Sequence, residues 1–236
     1  MESWITAWEG FYSQMITKGG YKTALQGLLA TVEIAVMGLI IGIILGTVIA
    51  LVKVMPKYNP FVKVMSVICD IYVGFFRGTP MVVQLLLGYY VILPTLGIAS
   101  NALVVAIVIF GLNSGAYVSE IMRAGIQSVD SGQLEAGRAV GLPYRTAMLK
   151  IVIPQSIKNI LPTLGNEFIV LIKETSVVSF IAVTDLTKAF RAIGDANYEY
   201  IIPYIMLALA YLVLVLIITW LIKLMERRLN RSERRS

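Results

Sequence analysis

The sequence predicts an all-α, polytopic membrane protein with about five transmembrane helices and one polar, two-helix loop on the cytoplasmic side. Three observations predict it. Of the 236 residues, 58% are hydrophobic and only 14% charged, where a soluble domain carries about 25% charged residues; the mean hydropathy is +0.80. The apolar residues gather in blocks near the ~20 that a helix needs to cross a bilayer. The net charge of +6 is concentrated in connections and the tail, the pattern of membrane topology rather than of a nucleic-acid surface.

Composition also excludes chemistry. Cys69 is the single cysteine, so neither an intrachain disulfide nor a cysteine metal cluster is available. Histidine is absent, which removes Ser-His and Cys-His catalysis and histidine-ligated metals; no catalytic residue, metal site or cofactor of its own is expected. There is no G-x-x-x-x-G-K-S/T loop, so the chain does not itself bind ATP in that manner. The opening stretch MESWITAWEGFYSQM lacks a basic region ahead of an apolar core and does not read as a cleaved signal peptide. Residues 1–24 read instead as an extracytoplasmic, interfacial segment with Trp4, Trp8, Phe11 and Tyr12 at headgroup level.

The first span lies in 25–52, interrupted only by Glu33, and its Gly38, Gly42 and Gly46 form a flat stripe suited to close helix contact. The second block is less tidy. Residues 61–76 are apolar apart from Lys63 and Asp70; RGTP follows, then MVVQLLLGYYVILP. At 1.5 Å per residue this is too long for one upright helix, and Gly78 and Pro80 supply a break. The expectation is an amphipathic helix along the cytoplasmic interface, then a span from about 79 to 95. The remaining blocks are 102–126, 160–183 and 200–222.

Lysine and arginine placement sets the orientation. Lys53, Lys57 and Lys63 fall in the first connection; Arg138, Arg145, Lys150 and Lys158 fall in the polar loop. Lys223, Arg227, Arg228, Arg231, Arg234 and Arg235 fall in or beside the tail, 229–236. PTLGIASN has no positive charge, and residues 185–199 hold two basic against three acidic residues. Five alternating spans then put the N-terminus outside and the loop and C-terminus in the cytoplasm.

The loop, 130–160, contains EAGRAVGLPYRTAMLKIVIP. Asp130 can cap a helix, with Gln133 as the returning partner of a capping box. The helix would run over 131–140, and Gly141 supplies a left-handed stop. Pro143 suits the first turn of a second short helix, and Pro154 ends that helix or begins the next. Leu134, Ala139 and Val140 cannot all face solvent without cost. A connection this long, whose quoted stretch sets four charges between two apolar stretches, is expected to touch something.

Glu135-Ala136-Gly137, then Gly141, then Ile151-Val152-Ile153-Pro154 resembles the "EAA" signature of permease subunits of ATP-binding-cassette importers. Gly137 stands where the second alanine is usual, and Ser131 where proline is more common. FFRGTPMVVQLLLGYY, LNSGAYVSEIMRAGIQSV and IPQSIKNILPTLGNEFIVLIKETSVVSFI resemble the branch that carries polar amino acids. The resemblance covers about 25–228. It implies the type I importer permease fold, and a coupling helix around Glu135, Ala136, Gly137, Arg138, Gly141 and Pro154 that docks into a cytoplasmic ABC ATPase. It further implies ATP and Mg bound by that ATPase, a second permease subunit (identical or homologous) and an extracytoplasmic solute-binding protein. The setting it implies is the bacterial cytoplasmic membrane, and the substrate it implies an L-amino acid such as glutamine, glutamate, arginine, histidine or cystine.

Ionisable groups inside spans cost about 2.5–3.5 kcal/mol each on insertion scales and mark functional positions. In the fourth span Thr163, Asn166, Glu167, Val170 and Glu174 share one arc, bordered by Lys173; that face should line a pathway or a subunit interface. Glu174 and its neighbours either meet the amino or carboxylate group of a substrate or pair with Lys173, Arg77 or the other subunit. Asn113 and Ser114 sit mid-span with hydrogen-bonding groups suited to substrate. Glu120 and Arg123 read as a structural or gating pair. Arg77 and Thr79 flank the Pro80 break, where freed backbone groups could line a cavity. Glu33 reads as interfacial and Asp70 as a helix-face ion. The alternatives are a stand-alone secondary transporter, against which no internal repeat is visible, and an intramembrane enzyme, for which no aspartyl pair is visible.

Overall fold

The computed structural model describes residues 2–55 and 58–233, with side chains between Trp4 and Arg227. Lys57, Arg234 and Arg235 lie outside the described residues, as do the side chains of Arg228 and Arg231. Among the described residues every regular element is helical. The order is α1 (Glu2–Tyr12, extended by a π turn over Ser13–Thr17), α2 (Gly20–Val54), α3 (Pro60–Gly78), α4 (Met81–Thr95) and α5 (Ala102–Gln127). Then come α6 (Ser131–Ala139) and α7, a continuous run over 144–174 made of Tyr144–Ala147, a π segment Met148–Val152 and Ile153–Glu174. A 3-10 turn Thr175–Ile181, α8 (Leu186–Asn197) and α9 (Ile201–Glu233) complete the chain. Three helices, α2, α5 and Ile201–Arg227 of α9, are long and apolar enough to cross a membrane; Met81–Thr95 is apolar but shorter.

The glycine stripe of α2 fixes the topology. A Cβ on Gly38 would meet Phe110 at 3.0 Å, one on Gly42 would meet Ser114 Oγ at 2.5 Å, and one on Gly46 would meet Val118 at 2.7 Å. Both sets of numbers rise together, so α2 and α5 run parallel with their backbones in near contact, as small residues at a helix interface allow. A parallel pair requires the intervening chain to travel back. That return is α3 and α4 together: Asp70 meets the Lys53–Glu120 level, Phe76 meets Asn113, and Gly88 faces Ile109. The sequence reading laid 61–76 along the interface; instead the second half of α3 stands beside the middle of α5, anchored by the Tyr72 hydroxyl on the Leu112 carbonyl. α7 then returns antiparallel to α5 (Ser114 with Glu167), and α9 runs antiparallel to α7 (Gly165 against Ile222). Among the described residues the bundle therefore has five traverses, with the α6 loop at the end where α2, α5 and α9 finish.

The core of the bundle gathers Ile34, Leu85, Phe110, Leu171, Ile172 and Ile181. A second cluster at the opposite end from the loop joins Phe11 of α1, Ala24 of α2, Leu186, Phe190 and Ile193 of α8 and Ile202 of α9. Of the N-terminal aromatics only Phe11 is buried there; Trp4, Trp8 and Tyr12 remain exposed. α8 replaces what the sequence reading treated as a connection. Its start is capped by the buried Asp185, whose carboxylate accepts from Thr187 N and Lys188 N. Burial pushes that carboxyl up, against the opposing pull of the two N–H donors.

Candidate functional site

The loop is built by α6 and the first turns of α7. Asp130 caps α6 through Gly132 N at 2.7 Å. The capping box does not close, because the Gln133 side chain accepts from Gln155 instead. The helix ends one residue earlier than expected. Leu142 N donates to Gly137 O and Gly141 N to Arg138 O, a Schellman stop that requires Gly141 at φ +90°. Gly137 is buried because α6 folds onto α7: a Cβ there would lie 2.7 Å from Ile151 Cδ1 and 3.4 Å from Ala147 Cβ. The signature residues Gly137 and Ile151 are thus direct neighbours. The opposite face is uncovered, with Glu135, Ala136, Arg138 and Gly141 exposed, Val140 79% exposed and Leu149 66% exposed.

The second helix of the loop is not separate. The chain stays helical from Tyr144 to Glu174, and Pro154, itself exposed, is absorbed about three turns inside it. Proline removes one N–H donor and crowds the preceding turn; the wider π turn over Met148–Val152 takes up that misfit.

Two cavities lie along the polar arc of α7. One, of about 440 Å³, is lined by Arg77, Tyr117, Glu120, Ser128, Asn159 and Thr163. The other, of about 490 Å³, is lined by Pro80, Met81, Val170, Lys173, Glu174 and Ser176. Thr163, Asn166, Val170 and Lys173 are exposed and Glu174 half-buried. Glu167 turns inward and accepts from Ser114 Oγ at 3.2 Å. Lys173 and Glu174 form no ion pair with each other or with Arg77; the Arg77 guanidinium lies 5.4 Å from the centre of the Tyr117 ring.

Between the cavities the chain breaks. Thr79 and Pro80 are both extended, which frees carbonyls at the end of α3. Gln84, 3% exposed, donates through Nε2 to Phe76 O, Thr79 O and Thr79 Oγ1 at 2.9–3.0 Å. Asn113 donates to Phe76 O at 3.2 Å and to Gln84 Oε1 at 2.9 Å. Thr79 Oγ1 gives its own proton to Phe75 O. Asn113 is therefore spent on holding the break, and Ser114 on Glu167.

A charge cluster ties the lower ends together. Lys53 Nζ lies 3.0 Å from both Asp70 and Glu120, and Arg123 lies 2.6 Å from Glu120. The predicted Glu120–Arg123 pair is present, and Asp70 is bound to Lys53 rather than free. Glu33 is exposed. Sequence reasoning missed Gln84 and Lys53. A lone amide four residues after a helix-breaking proline was the available signal for the first; Lys53 was counted only as a topology charge.

The comparisons with known proteins agree on one family. The family described as "Binding-protein-dependent transport system inner membrane component" matches residues 38–231. The chain is 43% identical over 209 residues to the arginine transport system permease protein ArtQ of Bacillus subtilis (strain 168), covering 89% of this chain and 93% of that one. It is 36% identical over 206 residues to the L-cystine transport system permease protein TcyB of the same organism, covering 87% and 86%. Among solved structures, a chain of an amino acid ABC transporter crystallised with histidines superposes with a TM-score of 0.83 at 40% identity, covering 92% of this chain and 98% of that one. The inward-facing MetNI methionine ABC transporter gives a TM-score of 0.72 at 16% identity, covering 88% and 96%, which extends the likeness in fold alone. With its loop, its broken second traverse and these relatives in view, the chain belongs to the inner membrane components of binding-protein-dependent transport systems.

Proposed function

We propose that this chain is the permease subunit of an ATP-driven importer that carries a polar L-amino acid across the bacterial cytoplasmic membrane, with the α6 loop and C-terminus in the cytoplasm. The observation that carries the reading is the uncovered face of the loop. Val140 and Leu149 expose most of their surface beside the charged Glu135 and Arg138, while Gly137 and Ala147 pack inward. A cytoplasmic ABC ATPase, which binds the ATP and Mg that this chain has no loop to hold, is the partner that face suits. Lys53, Arg145, Lys150 and Lys158 gather at the same end of the bundle, which supports its cytoplasmic placement.

The exposed polar arc of α7 is unsuited to lipid. It fits a second permease subunit across a shared pathway, with Arg77, Thr79, Lys173 and Glu174 toward the substrate and Asn113, Ser114, Asn166 and Glu167 shaping the wall. An extracytoplasmic binding protein delivers the amino acid. The relatives named for arginine and L-cystine support this substrate class. A family that depends on a binding protein sets a stand-alone secondary transporter aside.

Co-purification tests the reading. An ATPase subunit should come down with this chain, and Glu135→Lys should abolish that capture while the chain still inserts. Uptake by this chain alone under an ion gradient would overturn it. A thermal-shift screen of the partner binding protein against glutamine, glutamate, arginine, histidine and cystine identifies the substrate.

A further inference from the structure

We propose that the cleft between α2, α8 and the middle of α9 binds one phospholipid of the outer leaflet, with an acyl chain lying along α9 and an anionic headgroup phosphate at Lys22. Only the naming of the leaflet rests on the orientation proposed above, and no pathway residue is involved.

The cleft measures about 500 Å³, and every residue that lines it is apolar. α9 packs on α8 at one end through Ile202 and on α7 at the other through Ile222. Ala24 of α2 and Ala210 of α9 both line the gap, and side chains this small leave it unfilled. Its floor is buried, with Phe190 4% exposed, while Leu25, Leu209 and Val213 at the rim are exposed. Without polar groups such a space holds no water; an apolar cavity of about 150 Å³ takes one benzene ring, so this one takes most of an acyl chain.

Its depth matches one leaflet. Tyr200 and Tyr204 stack at the head of α9, and Tyr21 is exposed beside Lys22 on α2; tyrosines of this kind sit at headgroup level. Below them the cleft runs along α9 from Met206 to Ile217. At 1.5 Å per residue that is about 16 Å, close to half of a hydrocarbon core ~30 Å thick.

Packing alone selects weakly, since lipid tails are as apolar as leucine. Charge supplies the selection. Lys22 is exposed, lies one turn outward of Leu25 on the same face of α2, and has no carboxylate partner among the described residues. An ammonium binds phosphate as a point charge. Phosphatidylglycerol, whose phosphate charge is uncompensated, suits it better than phosphatidylcholine, whose choline cancels that charge.

The test places the purified permease–ATPase complex in phosphatidylcholine nanodiscs doped with phosphatidylglycerol that carries a diazirine midway along one chain. After illumination, adducts are mapped by mass spectrometry. Label on Phe190 and Met206 should exceed that on Val48, which is exposed on the cytoplasmic half of α2. Unlabelled phosphatidylglycerol should suppress it about fivefold more effectively than phosphatidylcholine with the same chains. Lys22→Gln should remove that preference and keep the label. Ala210→Phe, which fills the cleft, should clear Phe190 and leave Val48 labelled; where it fails to assemble, the competition and Lys22→Gln decide. Label on Phe190 no greater than on Val48 would overturn the site, whether the cleft is closed or covered by another protein chain. Equal competition by the two lipids, or a preference that survives Lys22→Gln, would overturn the headgroup assignment. Neither result would touch ATPase capture or uptake.

Discussion

Ser114 Oγ donates to Glu167 across α5 and α7 at 3.2 Å, and Gly42 of α2 presses on that same serine from behind, at 2.5 Å from where its Cβ would stand. Three traverses thus meet at one buried hydroxyl, and the small residue on α2 decides whether the polar contact can form.

Gly42→Val should push Ser114 off Glu167 and part α2 from α5. Overpacking of this kind costs about 1–3 kcal/mol. The measurement is the melting temperature of the detergent-purified complex, with Gly38→Ala, where Phe110 Cβ lies 3.0 Å away, as the milder comparison. An unchanged melting temperature for Gly42→Val would contradict the close approach.

Lys53→Met should leave Asp70 without its cation and Glu120 with Arg123 alone. Hydrogen bonds to charged groups are worth about 1.5–3 kcal/mol, and Asp70 is half-exposed at 56%, so the loss should fall near the lower end. Protease sensitivity of the connection between α2 and α3 should rise in parallel, because Lys53 links that end of α2 to α3. Equal sensitivity in both proteins would show the cluster to be incidental.

Gly137→Ala places a methyl 2.7 Å from Ile151 Cδ1, the free end of a flexible side chain. Alanine gains about 1 kcal/mol of helix propensity over glycine, which roughly offsets moving that tip. The single variant should therefore be near neutral in stability, and Gly137→Ala with Ile151→Val should be more stable than either alone. Thermal unfolding of all four proteins reads this out; a strongly destabilised double variant would contradict it.

Asp185→Ala should cost about 1–2 kcal/mol by removing the cap of α8, while Asp185→Asn keeps an acceptor and should cost less. The folded-state pKa of this carboxyl is raised by burial, so its proton is held more tightly in the folded chain than in the unfolded one. Its stabilising contribution is full at acid pH and declines as pH rises through the raised value. Asp185→Asn should flatten that decline in a pH series of melting temperatures, and an identical slope in both proteins would refute the assignment.

Much of this was legible in the sequence because the physics involved is local. The glycine stripe of α2, the left-handed stop at Gly141 and the polar arc of α7 each follow from spacing within one element. What escaped depended on how neighbouring elements join and pack. Pro154 reads as the end of one helix or the start of the next until the π turn before it shows the two to be continuous. α8 reads as a polar connection because only Leu186, Ala189, Phe190, Ile193 and Gly194 turn inward, although Asp185 as a cap and that spacing were available as signals. Gln84 was invisible for a different reason: three of its four partners are backbone or hydroxyl oxygens of the corner it spans, and only Asn113 is an amide.

The unbroken course of α7 has a mechanical consequence. At 1.5 Å per residue, 144–174 forms a rod of about 45 Å with the exposed loop at one end and Lys173 and Glu174 at the other. A lever of that length amplifies: tilting the loop end by about 5° sweeps the far end through about 4 Å. Because the helix is unbroken from 144 to 174, a tilt at the Tyr144 end reaches the polar residues as displacement, and the π turn over Met148–Val152 is where such a rod would flex first.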